Sequence, residues 1–168
     1  LLGTGNITKG LLNEISKDFR LRNLILGAFL SEDLIHFAKS LFLNLPIKKI
    51  NIDSRNEESL IESINILQPD YILSVQYPWI LSTLIINKLS GNIFNLHNSK
   101  LPDYRGHNTL SHEILNNEKF HTSTLHKIYP EVDRGIIIDS KTIRINPDET
   151  AYSLWLKSVK ESIQILKD

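Results

Sequence analysis

The chain predicts an α/β fold, a mostly parallel twisted sheet with helices on both faces and a β-rich C-terminal part. Three observations predict it. Strand-length runs that are apolar throughout alternate with segments of helical spacing, the pattern of strands buried on both faces. Cap and turn residues fall between the two kinds of segment. After residue 120 the texture becomes rich in Thr and Ile with partial alternation, which suits added strands, at least one of them antiparallel.

The elements follow in order. "LLGTGN" reads as the end of a strand running into a glycine turn, so a clipped N-terminal strand is expected. Leu11, Leu12 and Ile15 give residues 8 to 18 one apolar helical face. "NLILGAFL" (23 to 30) reads as a strand, and residues 32 to 43 as a helix capped by Ser31. Leu60, Ile61, Ile64 and Leu67 predict a helix over 57 to 67, stopped by Pro69. "DYILSVQ" (70 to 76) and "NIFNLH" (92 to 97) read as core strands, "TSTLHKI" (122 to 128) and "GIIIDSKTIRI" (135 to 145) as the later ones. Asn146, Pro147 and Asp148 introduce a last helix. "ESIQILKD" is still in helical rhythm, so a further C-terminal portion is expected. No low-complexity linker divides the sequence, which predicts one domain over residues 1 to 168.

Composition narrows the chemistry. There is no cysteine in the 168 residues, which removes disulfides, thiolate nucleophiles and cysteine zinc sites. Lys and Arg number 19 and so do Asp and Glu. The chain therefore lacks the basic footprint that nucleic acid or an anionic membrane usually demands. No apolar run approaches the roughly 20 residues that cross a bilayer. The sequence reads as a soluble, cytoplasmic protein without nucleic-acid or membrane partners.

Three places could carry chemistry. In "GTGNITKG", Gly3 and Gly5 begin a dinucleotide-like fingerprint whose third small position is occupied by Thr8. Two readings stay open there, a steric strand-to-helix corner or the approach of a phosphate or sugar to a helix N-terminus. In "FNLHNSKLPDYRGHNT", Asn95 and His97 are two apart in a strand, so they point to one side where it ends. The carboxyl ends of parallel strands are where open α/β sheets bind ligands. Asn supplies a neutral donor for a carbonyl oxygen and His a group that titrates near neutral pH, a pair suited to acyl transfer. Read blandly, Asn95 caps a turn and His97 is a half-buried histidine. Pro102 and Gly106 shape the following loop, with Tyr104 and Arg105 near its mouth.

In "STLHKIYPEVDRGIII", His126 lies in a strand, and Asp133 and Gly135 lie in a loop. Asp133 by itself is a turn former. Beside Asn95 and His97 it is the carboxylate that would orient the imidazole, raise its pKa and organise a proton-carrying water. His107 and His112 are five apart, off the one-turn spacing of helical metal ligands, so no metal site is expected. His36 and His121 read as surface or helix residues, and Lys17, Lys39, Lys48 and Lys49 as solvated faces.

The pattern Asn95-x-His97-x-Ser99-x-Leu101-Pro102-x-Tyr104-Arg105-Gly106, then Thr124-x-His126 and Asp133-x-Gly135, resembles the signature of the folate-dependent formyltransferases. That family includes glycinamide ribonucleotide transformylase and the catalytic domain of methionyl-tRNA formyltransferase. The resemblance spans about residues 70 to 157 and implies a Rossmann-like formyltransferase fold with Asn95, His97 and Asp133 catalytic. It implies 10-formyltetrahydrofolate as co-substrate, held around Tyr77, Trp79, Ile80 and Leu81 and by the turn at Glu131 and Val132, with no metal.

Within the family, "HN" after the strand and "GHNTLSHEIL" most resemble enzymes that formylate nucleotide-linked amino-dideoxy sugars for surface polysaccharide such as lipopolysaccharide O-antigen. A dTDP-linked sugar is the expected acceptor, a small-molecule partner, with Asn98, Lys100, Tyr104, Arg105, His107 and Asn108 facing it. The reading allows a homodimer. Methionyl-tRNA or glycinamide ribonucleotide as acceptor, or a non-catalytic folate or sugar-nucleotide binding module, are the alternatives.

Overall fold

In the computed structural model the described residues are 1 to 25, 27 to 41, 46 to 49 and 57 to 167. Chain order is β1 (Leu2–Gly3), α1 (Gly5–Lys17), α2 (Phe19–Leu24), β2 (Ala28–Leu30), α3 (Glu32–Ser40), β3 (Ile47–Lys49) and α4 (Glu57–Leu67). Then come β4 (Ile72–Val75), α5 (Thr83–Lys88), β5 (Ile93–His97), α6 (Thr109–Leu115), β6 (Phe120–Lys127), β7 (Ile137–Arg144) and α7 (Ala151–Ile165). The strands form one sheet in the order β3-β2-β1-β4-β5-β6-β7. β1 to β5 are parallel, whereas β6 and β7 are both antiparallel to their neighbours.

The apolar strand runs serve two faces at once. Ala28, Leu30, Val75 and Leu96 pack with Ile7, Leu11, Leu12 and Ile15 of α1, Leu34 and Ala38 of α3 and Ile165 of α7. Leu2, Phe29, Ile72 and Ile93 pack on the opposite face with Leu60 and Ile64 of α4 and Ile85 and Ile86 of α5. Each buried side chain of this size contributes about 1.5–3 kcal/mol relative to exposure, so both layers are needed to hold the sheet. The order reverses between β1 and β4, and a crevice opens there at the carboxyl ends of the strands.

Three local expectations are corrected. The strand placed at 23 to 30 begins at Ala28, because Asp18 accepts the Arg20 N–H at 2.8 Å and starts the short helix α2 upstream. Residue 26, and residues 42 and 43 of the helix placed at 32 to 43, lie outside the described residues. Ser31 stands at the N-cap of α3, but its hydroxyl is buried without a hydrogen-bond partner, so the position caps only by its backbone. The last helix is capped by Thr150, whose side chain accepts the Ser153 N–H, and not by Asn146 or Asp148. Pro147 and Asp148 occupy the turn before it.

Candidate active site

The site is built on the parity of β5. Asn95 pairs with His126 and His97 with Thr124 across the antiparallel β5–β6 ladder, so Asn95, His97 and His126 share one face. The Asn95 amide nitrogen lies 3.3 Å from His126 Nε2. The other ring nitrogen of His126 donates to the Lys127 carbonyl at 2.8 Å, which fixes the ring's orientation. The two imidazoles meet edge to face, centroids 6.2 Å apart.

Where β5 ends, His97 Nε2 donates to the Tyr104 carbonyl at 2.8 Å, and Ser99 donates to the same oxygen. Tyr104 therefore serves the site through its backbone. Its phenol turns away to Glu118 Oε1 at 2.7 Å and accepts from Asn116. The Leu101–Pro102 peptide is cis. Gly106, at φ 85°, adopts the left-handed turn that glycine alone enters without strain, and aims its N–H at Asp133 Oδ2, 2.9 Å away.

Asp133 arrives from the β6–β7 connection. Its Oδ2 is 3.8 Å from His97 Nδ1 and its Oδ1 is 3.5 Å from His126 Nε2. Burial alone would raise its pKa. The bond to His126, the charge of His97 and the Gly106 amide outweigh burial and hold it down to about 2. His97 is pushed below the ordinary imidazole value of 6.5. Burial lowers it by more than Asp133 raises it, so the carboxylate acts in the expected direction but the net shift is opposite to the expected one.

These groups line a cavity of about 700 Å3 with Ser74, Gln76, Tyr77, Trp79, Ile80, Leu81, Val132, His107 and Asn108 among its walls. Its volume is in the range of small-molecule sites. Trp79, Ile80, Leu81 and Val132 make an apolar flank.

Other expected residues sit elsewhere. Glu131, Lys100 and Arg105 are exposed and outside the cavity wall. Lys100 pairs with Asp103 at 2.7 Å. Asn98 touches the cavity, but its amide is engaged inside the protein, donating to Ser158 and accepting from Ser123 and His121. His121, read as a surface or helix residue, is 0% exposed in β6. The placement of His36 on an exposed face agrees with the expectation.

The glycine turn is bonded to the end of β4. Gln76 Oε1 accepts the Ile7 N–H at 3.2 Å, and Thr4 donates to the Gln76 carbonyl, so the first turn of α1 is capped from β4. Thr8 bonds the Val75 carbonyl at 3.1 Å. His126 and Gln76 were given no part in a site by the sequence reading. Thr124-x-His126 was the signal for the first, and nothing local marks the second. Among the described residues no group of three or more His, Asp or Glu side chains could hold a metal ion, and no helix is long and apolar enough to cross a membrane.

A family model described as formyl transferase matches residues 36 to 167. The bifunctional polymyxin resistance protein ArnA of Wigglesworthia glossinidia brevipalpis is 37% identical over 111 residues, covering 66% of this chain and 17% of that protein. The chain thus spans about a sixth of that relative's length. Phosphoribosylglycinamide formyltransferase of Anaplasma phagocytophilum superposes with a TM-score of 0.82 at 20% identity, over 97% of this chain and 79% of the other. A formyltetrahydrofolate deformylase of Pseudomonas syringae pv. tomato gives 0.83 at 15% identity, over 97% and 56%. At these identities the solved structures establish the fold, a Rossmann-like formyltransferase sheet.

Proposed function

The chain belongs to the formyl transferase family, and from that premise we propose that it moves a formyl group from 10-formyltetrahydrofolate to the amine of a nucleotide-linked amino-dideoxy sugar. The observation that carries the transfer chemistry is the meeting of Asn95, His97 and Asp133 on one wall of the 700 Å3 cavity.

The residues fit the donor. Trp79, Ile80 and Leu81, on the cavity wall, would shield one side of a bicyclic ring, and loop main-chain groups would meet its polar edge. When bound, the folate supplies the electrophilic formyl carbon. Asn95 then offers its amide hydrogens to the formyl oxygen as negative charge develops there. Losing one such donor typically costs roughly 3 kcal/mol of the barrier. The attacking amine must lose a proton and the departing folate nitrogen must gain one. His97, neutral by burial and with Nε2–H committed to Tyr104, has Nδ1 free to take that proton beside Asp133. Asp133 stays ionised, so it steadies the charged imidazole rather than carrying the proton itself.

The sugar acceptor is supported by the "HN" and "GHNTLSHEIL" segments and by the position of His107 and Asn108 on the cavity wall, where a polar ligand could reach them. The balanced charge does not favour a polyanionic tRNA acceptor. A single domain over residues 1 to 168 working in the cytoplasm completes the proposal. The test is mass spectrometry of dTDP-amino sugars, glycinamide ribonucleotide and methionyl-tRNA, each incubated with the protein and 10-formyltetrahydrofolate. Gain of one formyl group on the sugar supports the proposal. Gain on another acceptor alone replaces it, and folate binding with no product would favour a binding module.

A further inference from the structure

Glu113 and His121 are each 0% exposed, and the chemistry outlined above uses neither. His121 Nδ1 lies 2.6 Å from Glu113 Oε2, and His121 Nε2 lies 3.3 Å from Asn98 Oδ1. The direction of this chain of bonds is fixed from its far end. Ser158 donates its hydroxyl to the Trp155 carbonyl at 2.8 Å, so it must accept from the Asn98 nitrogen 2.9 Å away. Asn98 Oδ1 then faces His121, whose Nε2 is the donor.

Asn98 directly follows His97 and is held from three elements. Ser123 and His121 of β6 reach its side-chain oxygen, Ser158 of α7 takes its nitrogen, and Thr109 of α6 donates to its main-chain carbonyl at 3.2 Å. Glu113 Oε1 is buried without a hydrogen-bond partner, a burden that apolar side chains in the same place would not carry.

Resting on the formyl-transfer reading of His97, we propose that Glu113, His121 and Asn98 form a positioning relay that sets the ring of His97 against Tyr104 and Asp133. The relay pins the turn just after β5. That turn decides where the His97 ring stands, and small misplacements of a reacting group are expensive in rate.

The test uses the full chain, with Glu113→Leu to cut the relay and Glu113→Gln to keep an isosteric hydrogen-bonding partner for His121 Nδ1. Thr122→Val is the control, since it breaks the Thr122 to Thr142 hydrogen bond elsewhere on β6. Two readouts are taken, steady-state formyl transfer and the nitrogen NMR signals of the His97 ring, assigned by their loss in His97→Gln. Glu113→Leu is expected to lower kcat at least about tenfold with KM near wild type, and to move the His97 ring signals. Glu113→Gln restores both, and Thr122→Val lowers thermal stability while moving neither. Should Glu113→Leu not fold, Asn98→Ala, at the cavity edge, takes its place with the same expectation. Ring signals that stay at their wild-type positions overturn the relay whatever happens to stability, and so does a shift with kcat untouched. If the wild-type protein formylates no acceptor, it is the proposed function that fails, and the ring signals still decide the relay.

Discussion

The carboxylate of Asp133 stands 3.8 Å from Nδ1 of His97, too long for a hydrogen bond and close enough for the charge to be felt. The gap leaves Nδ1 able to gain a proton during turnover and Asp133 able to stabilise it once gained.

Removing any member of the site should therefore slow transfer without unfolding the protein. Asn95→Ala, His97→Gln and Asp133→Asn are each expected to lose on the order of a hundredfold in kcat/KM with an unchanged far-ultraviolet circular dichroism spectrum. A folded variant with near-normal turnover would take that residue out of the mechanism.

Acid should destabilise the fold in two separate windows. His97 has a folded pKa below 6.5, so its unfolded form binds more protons and stability falls as pH drops below 6.5. Asp133 is held at about 2 against an ordinary 3.8, so its contribution is present above 3.8 and is lost as pH falls from there towards 2. With solvent at its outer edge, that contribution is about 1–2 kcal/mol. Urea midpoints measured between pH 8 and 2, pH values spanning both windows, should show Asp133→Asn lacking the lower window. Parallel curves for wild type and variant would contradict the assignment.

Much of this is legible in the sequence, and the gaps have physical causes. Residues 57 to 67 form a helix over the expected span because their apolar spacing is unambiguous, and the shared face of Asn95 and His97 follows from strand parity. "NLILGAFL" was misread because a short apolar run has no period to separate strand from helix, and Asp18, its true cue, lies upstream. His121 looked superficial because its partner Glu113 sits on α6, a tertiary pairing that leaves no local pattern. Tyr104 contributes a carbonyl, a role any residue could fill, so its side chain misled.

Gly135 has no room for a side chain. A Cβ there would stand 1.6 Å from the Lys127 carbonyl oxygen, and Lys127 in turn takes its N–H to the Ile136 carbonyl at 2.9 Å. Backbone on both sides must move to admit even Ala, beside the β6–β7 register shift at Leu125 and His126. Gly135→Ala is expected to lower stability by about 1–3 kcal/mol in urea titration and to reduce turnover by displacing Asp133. Wild-type values for both would mean that the loop yields freely and does not fix the carboxylate.

Gln76 offers a test of the glycine turn. Its side-chain oxygen holds the Ile7 N–H from across the switch point, while its backbone sits at φ 55°, a left-handed conformation that a non-glycine residue adopts at some cost. Removing the oxygen leaves a first-turn donor of α1 unpaired, worth about 1 kcal/mol. Gln76→Ala should lose that much in urea titration, while Gln76→Glu keeps an acceptor and adds a charge that suits a helix N-terminus. The expected order of stability is therefore Gln76→Ala below Gln76→Glu. Should the turn instead be a phosphate cradle, Gln76→Ala would bare an anion site, and inorganic phosphate would raise its thermal midpoint more than that of wild type. Equal responses to phosphate in the two proteins, together with the loss in urea, identify the turn as a structural joint between α1 and β4.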